Sequence, residues 1–184
     1  MRYSRLVVVC AGLALLLSGC IFSPAKGPGA GGFEQPKYEI PQEPDIVLQN
    51  LRTAYTNKDS LAYQACFDPR YVGRSQDQTG TDTIYTFTFA DEARHIEVLA
   101  QSRTAIAELQ LIPKMVRSAD LGEDPAWALI QNPIQSLTIY DGNYTYYVPL
   151  DKEIIEFHFI PKTPDSSSPS DTTWKIIKWT EIRS

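Results

Sequence analysis

Along residues 44–184 the apolar positions change period once, from helical to alternating, and this divides the chain into a helical first part and a stranded second part. Pro44 suits a first helical turn, and Val47, Leu48, Leu51, Ala54 and Tyr55 recur at helical spacing, which predicts a helix over 44–57. Asp59 or Ser60 is expected to cap a second, shorter helix with Leu61, Ala62, Ala65 and Cys66 on its apolar face, ended by Asp68-Pro69. A strand near 71–75 and a polar loop over 76–81 follow. Tyr85, Phe87 and Phe89 then alternate with Thr86 and Thr88, a strand with one aromatic face. Asp91 stands where a helix cap is expected, and Ala93, Ile96, Leu99 and Ala100 define the buried side of a third helix.

Beyond Ser102 the period is two. Ala105, Ala107, Leu109 and Leu111 alternate with polar residues until Pro113, and residues 134–140 and 144–150 flank Asp141-Gly142-Asn143, a strong hairpin signal. Ile155, Phe157 and Phe159 share one face of the next strand, and the last, 173–182, is expected to carry Trp174 on one face and Trp179 on the other. Between them, 163–171 is rich in Ser and Pro and reads as a mobile hairpin tip. Helices first and strands afterwards predict an α+β fold, with N-terminal helices packed into a curved antiparallel sheet. About 140 residues is the usual size of one domain.

Ahead of that domain the composition changes twice. Arg2 and Arg5 open the chain, Leu6 to Leu17 form an apolar run, and Ser18 and Gly19 stand directly before Cys20. The run is shorter than the roughly 20 residues a membrane span needs. Leu17-Ser18-Gly19-Cys20 resembles the lipobox of bacterial lipoproteins, and this resemblance implies a signal peptide over 1–19, cleavage before Cys20 and diacylglycerol on its thiol. Residues 20–43, with Gly27-Pro28-Gly29-Ala30-Gly31-Gly32, then form a flexible tether whose reach is roughly 25 Å. The implied location is a membrane surface in the cell envelope. Because Ile21, and not Asp, follows the cysteine, the outer membrane is favoured if the organism is Gram-negative.

Charge narrows the partners. Loss of Arg2 and Arg5, with no acidic residue, takes the net charge from −5 to −7. With no basic patch in the chain, nucleic acid is excluded as an expected partner. Cys66 is the one thiol left after Cys10 is removed and Cys20 acylated, so it forms no internal disulfide, and its apolar neighbours predict a small buried residue.

Candidate chemistry is sparse. His95 and His158 have no Cys or His at metal-ligand spacing, so no metal or cofactor is implied. His95 is expected on the partly exposed side of the third helix, and His158, sharing a strand face with Glu156, is expected exposed, with a pocket-mouth base as the alternative. Asp91, Glu92 and Glu97 read as helix-cap and surface charges. Tyr140, Tyr144, Tyr146 and Tyr147 cluster at one hairpin, and together with Trp127 and Trp179 they offer either cross-strand pairs or a binding surface.

Three N-terminal helices, a long sheet, the run Ala54-Tyr55-Thr56-Asn57-Lys58-Asp59 followed by Phe67-Asp68, and the closing Trp174-Lys175-Ile176-Ile177-Lys178-Trp179 together resemble the nuclear transport factor 2-like superfamily. The resemblance implies a cystatin-like cone in which the sheet wraps the helices around an apolar pocket. Its members include isomerases, dehydratases, polyketide cyclases and non-catalytic binding modules, so fold does not settle activity. Aligned with the ketosteroid isomerases, Leu51 falls at the oxyanion-hole tyrosine and Ser75 at the general-base aspartate. Leucine has no donor, and an unactivated serine is a poor base. The expected function is therefore non-catalytic: a membrane-tethered domain that binds an envelope protein or a small apolar ligand. An enzyme with an unrecognised pocket base and a structural envelope accessory are the alternatives.

Overall fold

In a computed structural model, residues 36–79, 83–142, 144–147, 153–162 and 172–183 are described; the lipobox, Cys20, most of the tether, the 148–152 stretch and the 163–171 tip lie outside them. Helix α1 (Pro44–Thr56) buries Val47, Leu48, Leu51, Ala54 and Tyr55, the stripe its spacing predicts. Lys58 follows in the left-handed region at φ 54°, and its ammonium donates to the carbonyls of Ser102 and Ala105 at 2.7 and 2.9 Å. Asp59 is the cap of α2 (Ser60–Ala65), accepting from Ala62 N at 3.0 Å.

The apolar face expected for α2 is corrected. Leu61 and Ala65 are exposed, while Tyr63 and Cys66 are buried. Tyr63 covers more apolar area than Leu61 would, its ring lying 5.8 Å from Tyr55 and 5.1 Å from Phe67. The helix also stops before Asp68-Pro69, which belong to β1 (Phe67–Asp77). Asp68, 1% exposed, takes Arg70 Nε at 2.9 Å and Lys162 Nζ at 2.6 Å; burial works to raise its carboxyl, and these bonds together outweigh burial and hold the carboxyl low, at about 2. Pro69 has no N–H for a ladder, and the pairing of β1 is irregular between Phe67 and Val72.

Strand β2 (Thr83–Thr88) is one residue shorter than its aromatic alternation suggests, because Phe89 begins α3 (Phe89–Gln101). The cap is Thr88, with Asp91 at the third position returning a bond to Thr88 N at 2.8 Å, a capping box instead of an Asp91 cap. Of the expected buried side of α3, Ile96 and Leu99 are buried, Ala93 is half-buried and Ala100 is exposed.

The remaining strands are β3 (Ile106–Leu111), β4 (Arg117–Ala119), β5 (Ala128–Gln131), β6 (Ile134–Asp141), β7 (Tyr144–Tyr147), β8 (Glu153–Lys162) and β9 (Thr173–Arg183). They form a six-stranded sheet, β2-β1-β9-β8-β5-β4, and a three-stranded sheet, β3-β6-β7. All pairs are antiparallel except β1 with β9. The architecture is α+β, a few helices packed on curved, mainly antiparallel sheet. At the predicted hairpin Gly142 has φ 60°, a conformation that costs a residue with a Cβ.

One irregularity decides which residues face inward. Phe157 pairs with Trp179, but Phe159 pairs with Ile176, so Ile177 is an extra residue on β9. Directly opposed residues share a face, and the extra residue reverses the alternation. Trp174, Ile176 and Trp179 therefore lie on the Phe157 and Phe159 side, correcting the expectation of opposite faces for the two tryptophans. Two residues on, Glu181, opposite the buried Ile155, faces inward as well.

The folded part begins inside the segment that composition assigns to the tether. Tyr38 Oη donates to Asp59 Oδ2 at 2.8 Å, Glu39 exchanges two bonds with Asn50, and Trp174 N donates to Pro41 O at 2.7 Å.

Candidate functional site

Between the three helices and the inner faces of the two sheets lies a cleft of about 450 Å³. Leu51, Leu109, Leu137, Ile139, Phe87 and Trp179 give it apolar walls. The Trp179 ring is fixed against Phe157 at 4.5 Å.

The polar end is built from three elements. Glu92 of α3 accepts from Tyr63 Oη of α2 at 3.0 Å and from Tyr71 Oη of β1 at 3.1 Å, and both tyrosines are 2% exposed. Gly73 makes this possible, since a Cβ there would sit 2.5 Å from Tyr71 Oη. Burial, then the charge of Glu92 and its hydrogen bonds, push the Tyr63 and Tyr71 phenols well above their ordinary range, so both remain donors. Nearby, Tyr55 Oη is 3.2 Å from His95 Nε2 with the two rings stacked, and burial together with Glu92 pushes that phenol up to about 12.

Glu181 of β9 completes this end. Burial is the largest influence on it, followed by the charges of Glu153 and Glu92, and together they push its carboxyl up to about 7 against the pull of the Ser75 hydroxyl and Arg183. Glu153 itself is held by Arg183 at 2.6 Å. The mouth carries Arg74, bonded to Gln76 at 3.1 Å, and Asp91, held in the capping box. A carboxyl poised to gain or lose a proton, next to a carboxylate clamped by two phenols, can bind a polar group or transfer a proton.

Of the predicted surface residues only Trp179 lines the cleft. Tyr140, Tyr144 and Tyr146 are exposed on β6 and β7, and Trp127 is half-buried just ahead of β5. His158, expected exposed, is 6% exposed on the outer face of β8, where Nδ1–H donates to Asp120 Oδ2 at 2.5 Å. Its Nε2, 3.8 Å from Glu156, is too far for a hydrogen bond. The segment leading into β5 covers it, which neither strand pattern reveals. Glu92, read as a surface charge, is instead the centre of the polar end. Leu51 is an apolar wall residue, and Ser75 bonds to Glu181. Cys66 is buried as expected, and burial pushes its thiol up to about 12. Among the described residues no group of three His, Cys, Asp or Glu side chains could hold a metal ion.

No protein-family model and no curated protein matches this chain. Solved structures do. A protein from Catenulispora acidiphila in complex with S-DNPA aligns with a TM-score of 0.50 at 7% identity, over 76% of this chain and 89% of that one, and shares the fold. A nuclear transport factor 2-like protein with a cystatin-like fold from Novosphingobium aromaticivorans aligns at 0.44 and 10% identity, over 74% and 77%. An LEH-like epoxide hydrolase from M. tuberculosis aligns at 0.44 and 12% identity, over 79% and 84%. Several of the structural neighbours are described as nuclear transport factor 2-like, and three as proteins of unknown function.

Proposed function

We propose that this chain is a lipoprotein of the bacterial cell envelope, held at a membrane through Cys20, whose domain binds one small, largely apolar molecule without transforming it. The cleft carries this reading: about 450 Å³, apolar walls and a few polar groups gathered at one end are the marks of a small-molecule site. No helix among the described residues is long and apolar enough to cross a membrane. The anchor rests on the likeness of Leu17-Ser18-Gly19-Cys20 to a lipobox. The exposed tyrosines of β7 are available to a partner protein and lie outside the cleft.

The neutral fluorophore N-phenyl-1-naphthylamine is expected to bind the full chain one to one, and Leu137→Trp, which fills the cleft, to weaken it roughly tenfold or more. Unchanged binding by the variant would place the fluorophore elsewhere and overturn the cleft as the site. For the anchor, Cys20→Ala is expected to move the protein out of the membrane fraction and change its gel mobility; retention with unaltered mobility rejects the lipid.

Glu181 favours a second reading. An acid–base pair is recognised by two titratable groups in contrasting environments, and here Glu92 is held by two phenols while Glu181 sits near neutral. In that case Glu181 is the general base of an enzyme acting on an apolar substrate, and Glu181→Gln keeps binding but abolishes turnover.

A further inference from the structure

We infer that the ligand of the cleft is a monocation with an apolar body, an amine or quaternary ammonium whose charged end lies beside Glu181 and Glu92. This rests on the reading of the cleft as a small-molecule site. The first observation is the aromatic lining: Tyr55, Tyr63, Tyr71, Phe87 and Trp179 present rings from α1, α2, β1, β2 and β9. Aromatic faces attract cations through their quadrupole, most strongly where water is displaced.

The second is the sign of the buried charge. Glu181 comes from β9 and Glu92 from α3, and no lysine is among the residues that line the cleft. Its guanidinium, Arg74, is exposed and bonded to Gln76. The groups facing Glu181 are Glu153 of β8, Glu92 of α3, Ser75 and Tyr71 of β1, and Arg183 of its own strand, which is already paired with Glu153. No lysine or arginine of the lining is bonded to Glu92 or Glu181, and the other ionisable side chains there are Asp91, held in the capping box, and His95, whose Nε2 is 3.2 Å from Tyr55 Oη.

Burial is the largest reason that Tyr55, Tyr63, Tyr71 and Glu181 hold their protons more tightly than in water, and the charge of Glu92 adds to it at each. Near neutral pH a large share of Glu181 carboxyls carries a proton, and an ammonium arriving there lets that proton leave. Binding a cation therefore releases protons, whereas binding a neutral molecule of the same shape does not.

Calorimetric titration of the full chain with 2-phenylethylammonium and with 2-phenylethanol, at pH 7 in two buffers of different ionisation heat, separates these cases. The ammonium is expected to bind roughly tenfold tighter than the alcohol and to release a fraction of a proton. Glu181→Gln is expected to erase both the preference and the release. Equal or tighter binding of the alcohol to the parent, or proton uptake with the ammonium, overturns the cation and leaves the cleft reading standing. If neither probe displaces N-phenyl-1-naphthylamine, the cleft reading fails as well. The sign of the proton change in the parent decides even if the variant does not fold.

Discussion

Asp120→Ala is expected to cost about 3 kcal/mol of folding stability, measured by urea denaturation, while leaving the cleft's affinity for its probes unchanged. Asp120 and His158 are 2% and 6% exposed, and among the described residues their 2.5 Å bond is the only one His158 makes through its ring. A carboxylate accepts only, so Nδ1 carries the hydrogen, and Nε2 is left buried without a partner. Removing Asp120 strands the second ring nitrogen too. A buried polar group that loses its partner pays its full desolvation cost, larger than the net value of the bond it made. Asp120 also organises the cover of the sheet: its N–H donates to Trp127 O and its carbonyl accepts from Glu123 N, and the loop from Asp120 to Trp127 is tied to β8 through the Asp120 side chain and to β9 through the Glu123–Lys178 ion pair. Asp120→Asn retains an acceptor for Nδ1–H and is expected to lose about half as much. A loss below about 1 kcal/mol for the alanine variant would show that the loop relaxes and admits water to the ring.

The contrast between this pair and the cleft explains what could be read from the chain. Elements with a single strong period were legible: α1 from Val47 to Tyr55, the alternating Ala107 and Leu109 of β3, and the inward Ile155, Phe157 and Phe159. The site was not, because each of its acids escapes the local pattern. Counting by twos from Trp174 puts Glu181 on the opposite face, and the extra residue at Ile177 brings the two onto one face. Glu92 follows Asp91 in the first turn of a helix, where acids are ordinarily placed for the dipole, and its two phenol partners are 29 and 21 residues away. The one usable signal was Tyr63 and Tyr71, large aromatics with polar tips that need a partner when buried. His158 was misjudged for the reverse reason: its strand face alternates as a solvent face should, and Asp120, 38 residues earlier in a loop, covers it. Long-range partners of this kind leave no trace in periodicity.

Glu181 then carries the second large effect, on the dependence of stability on pH. Its carboxyl rises from 4.5 in the unfolded chain to about 7 in the fold, with burial the main cause and Glu153 and Glu92 next. Below pH 4.5 it is protonated in both states and costs nothing. Between pH 4.5 and 7 the folded state binds more protons than the unfolded one, so stability falls as pH rises, and above 7 the full cost of about 3 kcal/mol is present. Glu181→Gln removes the ionisable group and keeps an oxygen able to accept from Ser75. It is expected to match the parent near pH 4.5 and to exceed it by about 3 kcal/mol at pH 8, read from urea denaturation at the two values. A variant no more stable than the parent at pH 8 would mean that water or a shifted Arg183 already compensates the charge, and the negative inner end on which cation binding depends would lose its support. If glutamine in the same place does fold better at pH 8, the strand keeps its carboxylate at a cost in stability, which is the outcome the proposed charged ligand of the cleft requires.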